Sequence, residues 1–136
     1  MRTDKDVEAY LLRYRRPFRP FGDGRDVSPP RNASMFMVEA SHDLPPSVVR
    51  VEPPLVIVRS DLGEIVEDAK IFRKLLESNA TSLLHTSYGL EGNHAVLSSA
   101  LQLENLDFNE LEATLDEMEI ALAEHARAMT KIDRKK

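Results

Sequence analysis

Apolar positions recur along this chain with two different periods, and the alternation between them predicts the elements. Near the start, Val7, Tyr10, Leu11 and Tyr14 stand at helical spacing behind Asp4, a residue able to cap a first helix. Pro17 stops that helix, because proline donates no backbone hydrogen bond and clashes with the preceding turn. Three β-prone runs follow: SMFMVEA at 34–40, VVRVE at 48–52 and LVIVR at 55–59. Pro45-Pro46 and Pro53-Pro54 flank the second run, so each is read as short or close to a sheet edge. The second and third runs can be two strands or one bent strand. The helical period returns at about 67–78, with Ala69, Phe72, Leu75 and Leu76 on one face. Asn79, which tolerates left-handed backbone, is expected to end that helix.

The segment from 82 to 128 restricts the fold most. Residues 81–90 and 94–103 accept strand pairing about the turn Glu91-Gly92-Asn93, where Gly92 and Asn93 reach positive φ at low cost. Asp107 and Glu110 have capping-box spacing. They open a last helix at about 108–130, with Phe108, Leu111, Leu115, Met118, Leu122 and Met129 at steps of 3, 4, 3, 4 and 7. The order α-β-β-β-α-β-β-α mixes strands and helices without a βαβ rhythm. It predicts an α+β domain with an antiparallel sheet and helices packed on it.

Composition narrows the function classes. At 136 residues, one domain over 1–136 is expected. Residues 15–33 form an Arg/Pro-rich connecting arm, and 131–136 a basic tail expected to be disordered. Without cysteine there is no thiolate catalysis, disulfide or cysteine zinc site. The N-terminal MRTDKDVEAY has no apolar signal core, and runs such as 55–58 fall far short of the ~20 residues a membrane span needs. A soluble cytoplasmic protein with no membrane partner is the expectation. The net charge of -5 does not favour nucleic acid, which selects basic surfaces.

Charge is nevertheless segregated. Residues 1–32 hold eight Lys/Arg against five Asp/Glu, while 101–125 hold eight acidic residues and no Lys or Arg. The arginines at 13, 15, 16, 19, 25 and 31, with Tyr14, Phe18 and Phe21 among them, are the one basic patch. They suit an acidic partner, an RNA, or the acidic last helix of a partner subunit.

Catalytic chemistry is not legible. The four histidines, His42, His85, His94 and His125, form no HxH, HExxH or HxxxH pair. His85 and His94 fall on facing arms of one hairpin, where a metal is conceivable but ordinary strand residues are the simpler reading. His42-Asp43 lacks an assignable nucleophile. The acidic cluster Glu110, Glu112, Asp116, Glu117, Glu119 and Glu124 reads as a solvated helix face, since a calcium loop needs a glycine turn and oxygen ligands that are not there. Neither Gly22-Asp23-Gly24 nor Gly89-x-x-Gly92 is a phosphate loop.

Three stretches carry a likeness to a known family: LLESN at 75–79, YGLEGN at 88–93, and ALQLENLD at 100–107 continuing to Glu110-Leu111. Over 67–126 the chain resembles the type III secretion chaperone-like superfamily. The nearest branch looks like the YbjN-type proteins, often labelled sensory transduction regulators. The resemblance implies a non-enzymatic protein-binding module, without cofactor or catalytic residue. It also implies a homodimer that holds a partner segment against an apolar groove or sheet edge. The Arg/Pro-rich stretch 15–31 departs from the chaperone pattern and favours the YbjN-like reading. On this basis Phe108, Leu111, Leu115, Met118 and Leu122 are expected to serve packing or self-association. Met35, Met37, Val56 and Val58 are expected to line a peptide groove, because methionine adapts to varied partners. The alternative is a signalling adaptor that docks an acidic partner through Arg13, Arg15, Arg16 and Arg19.

Overall fold

Thr3 opens helix α1 (Asp4–Arg13) one residue before the expected cap. Its hydroxyl accepts the Lys5 N–H at 3.2 Å, and the Asp6 carboxylate takes the Thr3 N–H at 2.7 Å, a complete capping box. Asp4 sits instead in the first turn, where its charge favours the helix dipole. The computed structural model describes residues 2–20, 34–40 and 44–133, and among these the side chains of residues 35–40 and 44–125 beyond the first segment. The arm residues 21–33, the pair His42-Asp43 and residues 134–136 lie outside the described residues.

Six strands follow in one antiparallel sheet of order β1-β2-β3-β4-β6-β5. They are β1 (Phe18–Pro20), β2 (Ser34–Val38), β3 (Ser47–Glu52), β4 (Leu55–Glu64), β5 (Ser87–Glu91) and β6 (His94–Gln102). The short β1 is an addition to the expected order. It forms inside the stretch read as an irregular arm, by pairing Phe18, Arg19 and Pro20 with Val38, Met37 and Phe36. The runs at 48–52 and 55–59 are two strands joined by a tight turn at Pro53-Pro54, whose peptide bond is cis. β4 continues past the expected end at residue 59. A bulge between Asp61 and Gly63 absorbs the turn-like sequence, with Gly63 at φ +91° and its N–H donated to Asp61 Oδ1 at 2.8 Å. The β5–β6 hairpin turns at Gly92-Asn93, with Gly92 at φ +61°.

Helix α2 (Ala69–Thr81) starts at Asp68, whose carboxylate accepts the Lys70 N–H at 2.8 Å. It runs two residues beyond Asn79, which corrects the expectation that Asn79 ends it. Helix α3 (Phe108–Asp133) opens as expected, with Asp107 Oδ1 accepting the Glu110 N–H at 2.7 Å. It continues three residues into the stretch read as a basic tail.

The packing of α1 and α3 on the sheet makes the main core. Val7, Leu11, Leu111, Leu115, Met118 and Leu122 close over Phe36, Val49, Val51, Val56, Val58 and Leu97. Each fully buried apolar side chain contributes about 1.5–3 kcal/mol over its exposed state, so this layer dominates the fold's stability. α2 belongs to a second, smaller cluster of Ile65, Ile71 and Ala95, flanked by Leu62, Phe72 and Leu75.

Candidate functional site

Register decides which apolar residues are free to meet a partner. Phe36, Val49, Val58 and Ser99 stand opposite one another in one row across the sheet, and Val51, Val56 and Leu101 in the next. This is the helix-covered face. The alternate rows point the other way: Arg19, Met37, Val48, Arg59 and Ser98 in one, Met35, Arg50, Ile57 and Ala100 in the next. No helix among the described residues covers that second face. Met35, Met37, Val48 and Ile57 are partly buried there by their neighbours, and Leu55 and Ala100 are exposed. Two ion pairs lie within this face: Arg50, between Met35 and Ile57, pairs with Glu52 at 3.0 Å, and Arg59, between Val48 and Ser98, pairs with Glu91.

The groove residues expected from sequence are therefore split. Met35 and Met37 lie on the open face. Val56 and Val58 are sealed in the core at 0% exposure, so they line no groove of this chain. The open-face partners that the strand LVIVR contributes are Leu55 and Ile57. Four consecutive apolar residues carry no alternation, so the inward and outward members of that strand could not be told apart.

The stripe of α3 is accounted for inside the chain. Leu111, Leu115, Met118 and Leu122 are buried beneath α1 and the sheet, and Phe108 is half-buried edge-on to Tyr10 at 6.4 Å between ring centres. The packing role is the one the structure displays. A different helix leaves apolar surface outside: α2 presents Ala69, Phe72, Leu76 and Ala80 along a shallow groove edged by Lys70, Arg73 and Glu77. Leu76 is 67% exposed and Val66, just ahead of the helix, 58%.

The basic arm meets acidic groups of its own chain. Arg15 pairs with Asp116 at 2.9 Å and Arg16 with Glu119, both on α3. The Tyr14 hydroxyl donates to Asp116 Oδ1 at 2.7 Å, and burial together with that carboxylate pushes its phenol well above the usual range. Arg13 stacks over the Phe108 ring at 4.1 Å, and Arg19 reaches the Met37 sulfur at 3.4 Å. The segregated charges thus fasten α1 and the start of the arm to α3 within one subunit.

Two polar contacts were not visible in the sequence. The Glu117 carboxylate accepts the N–H groups of Leu84 and His85 at 2.7 and 2.8 Å and the Thr86 hydroxyl at 2.8 Å. Burial opposes its charge, but these donors prevail and hold its pKa below the ordinary value. The Asn79 carboxamide grips the Tyr88 backbone on both sides. Both link residues far apart in sequence or role, and acid on a helix face gives no hint of either.

The histidines do not converge. His85 precedes β5 and hands its N–H to Glu117, whereas His94 opens β6 opposite Glu91 and pairs with Asp61 at 3.0 Å. That bond lowers the Asp61 pKa and raises that of His94. His125 packs on Tyr88, and burial lowers its pKa. Among the described residues no group of three His, Asp or Glu could hold a metal, and no helix is long and apolar enough to cross a membrane.

The described helices α1 and α3 thus cover one side of the sheet, and apolar residues stand on the other. Neither a curated protein nor a solved structure matches this sequence significantly. The CesT_Tir_1 family model, however, matches residues 2–135, nearly the whole length. The α+β fold with its six-stranded antiparallel sheet agrees with that match, and the chain belongs to the CesT_Tir_1 family of type III secretion chaperones.

Proposed function

We propose that this protein is a non-enzymatic binding module that holds a segment of a partner protein on the open face of its sheet. The observation that carries the reading is the patch of Met35, Met37, Val48, Ile57 and Leu55 on a face that no described helix covers. Such surface costs free energy in water at roughly 25 cal/mol per Å², and covering it with a partner's apolar side chains recovers that cost. The methionines adapt their shape to different occupants. Family membership supports a protein partner. The likeness at 75–79 and 88–93 supports a place beside the YbjN-type branch.

The proposed working form is a cytoplasmic homodimer, joined through α2. The stripe of exposed Ala69, Leu76 and Ala80 with half-buried Phe72 has small residues at its ends, which lets two helices approach closely. In an antiparallel pairing about a two-fold axis, Phe72 meets the partner's Leu76, and Lys70 and Arg73 turn toward the partner's Glu77. The same patch then complements itself, as a two-fold interface requires.

The test is capture from the native cell extract by tagged protein, comparing wild type with the double variant Met37→Thr/Ile57→Thr. Threonine is β-branched and favours strands, and at both positions it removes the apolar contact. Loss of the wild-type set of captured proteins from a folded variant supports the reading. An unchanged set would contradict it. The adaptor reading through Arg13, Arg15, Arg16 and Arg19 has less support, because these side chains already have partners within the chain.

A further inference from the structure

A sheet has two free edges, and each displays the N–H and C=O groups of alternate residues to any extended chain that comes alongside. At β5 that outward set is residues 86, 88 and 90. Tyr88 gives its N–H to Asn79 Oδ1 at 2.7 Å and receives Asn79 Nδ2 on its C=O at 3.1 Å. The carboxamide thus reproduces both bonds that a neighbouring strand would make. One step earlier, Glu117 accepts the hydroxyl of Thr86 at 2.8 Å and the N–H groups of Leu84 and His85 before it, which places its carboxylate at the start of this edge. Leu90, 53% exposed next to the turn, is the next outward residue of this edge. At the other edge β1 is three residues long and ends on Pro20, which has no N–H to give.

Asn79 is an uneconomical choice for its position by local standards. It stands inside α2, where asparagine is a poor helix former, with α2 continuing to Thr81. Its side chain is turned from the helix backbone to a strand nine residues on. An exposed edge carrying an apolar Leu90 would otherwise be a template for pairing with a second chain.

We propose that Asn79 is an edge lock: it closes β5 to strand addition, which leaves the side chains of the open face, and not this edge, to recognise a partner segment. The identity of that face rests on the reading above, whereas the lock itself does not.

The experiment uses the full chain and the variant Asn79→Ala. Amide exchange of Tyr88 should quicken about tenfold, the scale of one lost hydrogen bond, while the Val49 and Val58 amides keep wild-type protection. Light scattering at rising concentration should show species larger than those of wild type. Adding Leu90→Pro, which removes the next outward N–H, should disperse them. Unchanged Tyr88 protection would overturn the proposal, and so would a freed Tyr88 amide with a wild-type mass profile. If Asn79→Ala does not fold, Asn79→Asp takes its place. It keeps the acceptor and loses the donor, so larger species are again expected, and a wild-type profile would again overturn the lock. Capture by the Met37→Thr/Ile57→Thr variant reports on the open face alone, so the two proposals fail separately.

Discussion

Val58 and Ile57 are consecutive residues of β4, yet they belong to different regions of the molecule. Val58 is sealed between the sheet and the helices α1 and α3, while Ile57 stands beside Met35 and Arg50 on the face that no described helix covers. The chemistry of the two side chains is nearly the same. What separates them is the two-residue period of a strand, which sends neighbours to opposite faces. One face provides the stability of the fold, and the other keeps apolar surface available. The comparison shows that apolar character alone says nothing about role in this protein until the register is known.

The largest contrast comes from charge. Val58→Asp places a carboxylate where nothing can pair with it, and the expected cost exceeds about 3 kcal/mol, enough to unfold a marginal domain. Urea denaturation followed by circular dichroism measures it. A Val58→Asp protein with near wild-type stability would erase the distinction between the faces. Next comes Leu115→Ala beneath the same face, expected to lose about 2–5 kcal/mol through lost burial and a residual cavity.

A smaller effect is expected in the α2–β5 unit, which rests on a minor core and on polar grips. Glu117→Gln keeps the shape and removes the charge that receives Leu84, His85 and Thr86, at an expected cost of about 1 kcal/mol for this partly exposed group. Acid should do the same reversibly. Because the folded pKa of Glu117 lies below its unfolded value, its stabilisation is complete above the usual carboxylate range and is lost as pH falls through the folded pKa. Amide exchange at Leu84 and His85 should therefore rise at acid pH before that of Val49 does. Simultaneous loss of protection at all three would argue against a separate latch.

The smallest change in stability accompanies Leu76→Ser on the exposed stripe of α2, within about 0.5 kcal/mol for the monomer. Its effect should appear in the solution mass. Analytical ultracentrifugation is expected to show a dimer for wild type and weakened association for the variant. A wild-type monomer at about 100 μM, a weak-affinity range, would remove the dimer from the proposal.

Much of this architecture was legible in the sequence, for reasons tied to particular residues. The 3-4-3-4 steps from Phe108 to Leu122 identify a helix with one face to bury, and α1 and the sheet cover it. Asp107 and Glu110 mark its start, and Gly92-Asn93 marks the hairpin turn. The rest depends on contacts that local pattern does not encode. β1 consists of three residues bounded by prolines and exists only because β2 pairs with it. The arginine clusters and acidic helix read as separate solvated or partner-seeking surfaces, whereas the fold brings Arg15 to Asp116 across a hundred residues of chain. Asn79 resembled a helix terminator because asparagine often is one, and only the approach of β5 shows its grip on Tyr88. Of the residues expected to line a groove, Met35 and Met37 lie on the open face and Val56 and Val58 in the core, since a run of four apolar residues hides its own alternation and Ile57 is the outward member.

The most direct measurement is the capture comparison on the open face. Wild type and Met37→Thr/Ile57→Thr, matched in circular dichroism and melting temperature, are each used to recover binding proteins from the native extract. The expected result is that the variant, fully folded, loses the proteins that wild type retains. Equal recovery by the two would contradict the assignment of this face as the binding surface.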